Sequence, residues 1–99
     1  MEAVAVFIKT TNPSQLVVVG SVMTPGAFDH VALQLSPSPC FNPTILCLDL
    51  IIDGRLGPMK MTQKFFHYVG VGHDENITQV QINHAQHGPM VVDITVISK

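Results

Sequence analysis

Five histidines in 99 residues, two of them spaced His84-x-x-His87, are the first side chains with evident chemistry. Neutral imidazoles bind transition metals, so His84 and His87 are the candidate metal ligands, with His67 or His30 as further donors. Residues three apart on a strand point to opposite faces, so the pair converges only if the turn at residues 86–88 folds it together. No cysteine or carboxylate stands at a matching interval, and unconnected surface histidines are the plainer reading. His73-Asp74-Glu75 offers an acid-base pair or an oxygen-rich cation site, yet Gly70, Gly72 and Asn76 around it have the composition of a solvated turn. Asp49 is a carboxylate inside an apolar stretch. It is either catalytic or, more simply, faces solvent at a sheet edge or pairs with Lys60, Lys64 or Arg55 across a hairpin.

Gln79, Gln81 and Asn83 alternate with apolar residues and give one strand an amide-rich outer face. Amides both donate and accept hydrogen bonds, so these three, with Tyr68 as an aromatic plate, are the candidate binding residues for a polar ligand such as a sugar. Phe65 and Phe66 are the other aromatic candidates there, and the chain has no tryptophan. No Gly-x-Ser-x-Gly elbow occurs, and neither cysteine has a histidine close in sequence, so nothing points to a catalytic nucleophile. Gly70-x-Gly72 follows a strand but lacks the later glycine and the Lys-Ser/Thr pair of a phosphate loop. No enzyme activity and no cofactor are expected.

These residues must be positioned by strands. Val, Ile and Thr make up 28 of the 99 residues against five Ala and seven Leu, a stiff β-branched bias that suits a pleated surface. Prolines and glycines, seven of each, cut the chain about every ten residues. Seven strands are predicted, at residues 3–10, 16–23, 30–36, 44–52, 59–71, 77–84 and 90–98. Gly20 within the second suggests a bulge or a close backbone approach. Pro37, Pro39 and Pro43 hold an extended loop around Cys40-Phe41. Asp53-Gly54 supports a turn, lengthened by Arg55-Leu56-Gly57-Pro58. In the fifth segment Met59, Met61, Phe65, His67, Val69 and Val71 share one parity while Phe66 and Tyr68 break it, which suggests a bulge or a strand that changes sheets. The expected architecture is all-β: an antiparallel β-sandwich or flattened barrel of about seven strands, forming one domain over residues 1–99.

The balance of five bases and seven acids gives a net charge of −2 with no basic patch, so nucleic acid is not an expected partner. No run approaches the roughly 18–20 apolar residues of a membrane-spanning helix, and residues 1–9 lack the pattern of a signal peptide. Cys40 and Cys47 on one extended strand would lie about 23 Å apart and could pair only if the chain doubles back at Asn42-Pro43, so reduced thiols and a cytoplasmic location are the favoured expectation. The sequon Asn76-Ile77-Thr78 then reads as coincidence. The first and last strands, both apolar, are candidate edges, and pairing with another copy would protect them. Low charge and doubly apolar strands therefore point to a self-associating, non-enzymatic module, a homo-oligomer or partner-binding subunit of structural or accessory type, of a size that suits a viral protein. Val92, Ile94, Met59 and Met61 are its candidate interface residues. The alternatives are a carbohydrate-binding sandwich and a histidine-dependent metal protein.

Overall fold

The computed structural model describes residues 1–37, 40–72, 76–86 and 88–98, and these contain seven strands and no helix. They are β1 (Glu2–Ile8), β2 (Gln15–Thr24), β3 (His30–Leu35), β4 (Ile45–Asp53), β5 (Thr62–Val71), β6 (Gln79–Asn83) and β7 (Met90–Ile97). Each expected segment forms, because alternation of β-branched residues gives every strand one continuous apolar side to bury. The fifth is shorter than expected. Met59 and Met61 lie in an exposed connection over residues 54–61, where Pro58 carries no amide to donate.

The strands form one sheet in the order β3-β4-β6-β7-β1-β2-β5, folded over into a flattened, nearly closed barrel. Its fold line is β7. Met90, Val91, Val92 and Asp93 pair with β6, whereas Ile94, Thr95, Val96 and Ile97 pair with β1. One layer is thus β3-β4-β6-β7 and the other β7-β1-β2-β5, and the free ends β3 and β5 come back alongside each other without a ladder.

Three expectations change. The sheet is mixed rather than purely antiparallel, since β1 with β7 and β4 with β6 run parallel. Parallel neighbours need a crossover, and β5 supplies one by carrying the chain into the other layer between β4 and β6. The strand shared between layers is β7, whereas β5 pairs with β2 without interruption from Thr62 to Val71. Its broken parity reflects apolar residues on both faces, with Phe66 and Tyr68 inward and Phe65, Val69 and Val71 outward. The edges are β3 and β5, while the first and last strands lie side by side within the sheet.

The core fills the space between the layers. Leu16, Val18 and Val22 of β2 and Phe66 of β5 meet Leu48 and Leu50 of β4 and Val80 and Ile82 of β6, all essentially removed from solvent. Each such side chain contributes roughly 1.5–3 kcal/mol of transfer free energy. Gly20 is a close approach: a Cβ there would meet the Glu2 carbonyl oxygen and come within 2.6 Å of the Phe66 ring. At one end, buried Asp29 ties two layer-crossing connections together. Its Oδ2 accepts from the Gly26 amide at 3.0 Å and its Oδ1 from the Arg55 amide at 3.2 Å. The Ala27 amide donates to the Pro58 carbonyl at 3.0 Å, and Lys64 Nζ donates to the Ala27 carbonyl at 2.6 Å.

Candidate functional site

With one side of every strand committed to the core, functional chemistry is left to the two outer faces. On the β1-β2-β5 face the outward residues include Val4, Val6 and Ile8, then Val17, Val19 and Met23, then Phe65, Val69 and Val71. Val4, Val19, Met23, Phe65, Val69 and Val71 are all exposed, and Phe65 retains 75% of its accessible surface. The ionisable groups turned outward on these three strands are Glu2 and His67 alone, both at a cleft of about 440 Å³ that Val4, Val19, Ser21 and Phe65 also line. Although β1 is apolar on both sides, the exposure of Val4 shows that its outer side is open.

On the β4-β6 face polar residues stand outward among the apolar Ile45, Ile51 and Val91. Gln34, Asp49 and Asn83 are aligned across β3, β4 and β6, and Cys47 is aligned with Gln81. The Gln81 Nε2 donates to Asn83 Oδ1 at 2.7 Å, which leaves Gln81 Oε1 as an acceptor and Asn83 Nδ2 as a donor. Gln79 is engaged differently, donating from Nε2 to Asp93 Oδ1 at 2.8 Å. Asp49 is half-buried, and its neighbours in register are neutral amides rather than lysine or arginine. Arg55 pairs with Asp53 at 3.0 Å instead.

Two clefts lie at this face and share Asn83 in their linings. One, of about 590 Å³, is bordered by Asp49, Ile51, His84 and Pro89, and the other, of about 430 Å³, by Ser36, Phe41, Asn42 and Gln81. Cys40 and Cys47 are joined in a disulfide beside the second, their α-carbons 5.7 Å apart. The expectation of reduced thiols therefore fails, because the two cysteines do not share one extended strand. The chain reverses at Asn42-Pro43, where the Asn42 carbonyl accepts from the Ile45 amide at 3.1 Å. Asn42 Oδ1 also accepts from the Thr44 amide at 3.0 Å and from the Thr44 hydroxyl at 2.8 Å. This braced loop presents Phe41 fully to solvent.

Among the sequence candidates, Gln81 and Asn83 come together, and Gln79 lies on the same face outside the clefts. Tyr68 does not join them. It is aligned with buried Val18, packs against the core and lies over Gly70. Phe41 is the aromatic residue that the sequence reading missed; its place in the Pro-bracketed loop was the available signal. Val92 and Ile94 also pack against the core, whereas Met59 and Met61 are exposed in the connection before β5. His84 Nδ1 accepts from the Gln86 amide at 3.2 Å. His87 and His73-Asp74-Glu75 lie outside the described residues. Among the described residues no group of three or more His, Cys, Asp or Glu is placed to hold a metal ion, and no helix is long and apolar enough to cross a membrane. No family model, curated protein or solved structure matches the chain.

Proposed function

We propose that the chain is a self-associating β module of structural or accessory type, acting through protein contacts rather than catalysis, and that two copies meet through their β1-β2-β5 faces. The observation that carries this reading is the apolar outer surface of Val4, Val19, Phe65, Val69 and Val71, spread over three adjacent strands. Contiguous apolar surface beyond a few hundred Å² marks interaction sites.

The amount of exposed surface agrees. The chain exposes 6228 Å², whereas a compact monomer of its 10.8 kDa exposes about 5,500 Å². The excess approaches one partner's share of a standard interface, about 800 Å².

A second copy is the proposed partner because Phe65, Val4 and Val19 line one cleft, so that a two-fold axis passing through it would bury both Phe65 rings against apolar surface. The small net charge of −2 opposes the approach only weakly. The Cys40–Cys47 bridge belongs with an oxidising environment and weighs against a cytoplasmic location.

Molar mass measured by light scattering across a dilution series tests the reading. Twice the chain mass at the concentrated end, falling to the chain mass for Phe65→Glu, is the expected result. A monomer at every concentration, or a dimer that Phe65→Glu leaves intact, overturns it.

A further inference from the structure

We infer that the paired clefts on the β4-β6 face bind a neutral oligosaccharide, with Phe41 as the stacking platform and the Gln81–Asn83 amide pair as the reader of its hydroxyl groups. This site lies on the layer opposite the proposed dimer face and is independent of it.

Three observations carry the assignment. First, Phe41 is fully open to water on a loop whose backbone is restrained by the disulfide at Cys40 and by the Asn42 turn, so stacking on its ring orders the side chain but not the loop. A pyranose ring has one apolar C–H face that can cover such a ring. Second, the internal bond from Gln81 Nε2 to Asn83 Oδ1 fixes both amides and turns one acceptor and one donor outward. Neighbouring hydroxyls on a sugar, each able to donate and accept, match that pair. Third, the cleft beside Phe41 is lined by neutral groups, Ser36, Asn42, Gln81 and Asn83 among them, so it offers no ion pair to a charged ligand.

The second cleft shares Asn83 and extends the site past Asp49. The ligand therefore spans more than one ring, and Asp49 accepts hydrogen bonds from the hydroxyls of the second. With Gln34 and Asn83 on either side of it, Asp49 serves as an acceptor in this arrangement rather than as half of a salt bridge.

The test is a screen of the full chain against an array of neutral and acidic oligosaccharides, followed by calorimetric titration of the strongest neutral binder and its constituent monosaccharides. Expected are retention of a neutral oligosaccharide, weaker binding of each monosaccharide, and at least about tenfold weaker binding for Phe41→Ala. Asn83→Ala, which removes a donor that the sugar uses, weakens binding by about three- to tenfold. Gln79→Ala, outside the clefts, leaves binding unchanged. Reduction of the Cys40–Cys47 bridge weakens binding by freeing the Phe41 loop. Thermal unfolding of Phe41→Ala, whose side chain touches solvent alone, serves as the check on folding. No retention of any neutral oligosaccharide, or binding that Phe41→Ala leaves intact, overturns the inference.

Discussion

On their outward sides β2 and β5 carry Val17, Val19, Met23, Phe65, Val69 and Val71 among Ser21, Gln63 and His67, while β4 and β6 carry Asp49, Gln79, Gln81 and Asn83 among Ile45, Cys47 and Ile51. The centre of the barrel is alike on both sides, with Leu16, Val18, Val22 and Phe66 from one layer and Leu48, Leu50, Val80 and Ile82 from the other. Core packing constrains the inward set in both layers equally and is indifferent to the outward set. The outward set is therefore free to differ between the layers, and it is richer in apolar side chains on β1-β2-β5 and richer in amides on β4-β6.

The sharpest way to break this contrast is to place the same charge on each face in turn. Val69→Glu puts a carboxylate into the proposed interface twice, once per copy, and is expected to weaken dimerisation at least a thousandfold, on the order of 4 kcal/mol, by sedimentation equilibrium. Gln79→Glu on the amide face is expected to leave the molar mass unchanged. Equal effects from the two would mean that the faces are not specialised.

A smaller effect is expected where the layers are tied together. Asp29→Ala removes the acceptor of two backbone amides and leaves both without their partner, and should lower unfolding free energy by about 2–4 kcal/mol in urea titration. Its effect should fall on stability while the dimer interface itself stays intact, so the dimer dissociates only as the fold is lost. The smallest effect is expected from Arg55→Ala. The Arg55–Asp53 pair is more than half exposed on both sides, and its loss should change stability by no more than about 0.5 kcal/mol.

All seven strands were legible because period-2 alternation is written locally, residue by residue. Val31, Leu33, Val80, Ile82, Val92 and Ile94 show it without reference to any partner. Strand order was not legible, since pairing depends on which strand lies beside which, and the parallel pairs β1–β7 and β4–β6 join segments far apart in the chain. Tyr68 was misplaced because β5 is apolar on both faces and alternation then fails to say which face is inward. Val92 and Ile94 show the same difficulty from the other side: a good apolar stripe fits a core and an interface equally well. The cysteines were judged by extended-chain distance, which the turn at Asn42-Pro43 removes. Of the candidate sugar site, the amides could be read from sequence but Phe41 could not, because what brings them together is the pairing of β4 with β6 and the bridge to Cys47.

The double membership of β7 governs how the chain reaches this structure. Without it, the remaining strands form two three-stranded pieces, β3-β4-β6 and β1-β2-β5, with β6 and β1 presenting open edges. Insertion of the last strand seals both edges at once, so neither layer is complete before the other and unfolding should be a single cooperative step. Such long-range closure is slow, on the order of milliseconds to seconds. Any chain whose β7 has not yet paired would expose the edges of β1 and β6 to a β7 from another chain, so crowded folding is expected to favour strand exchange.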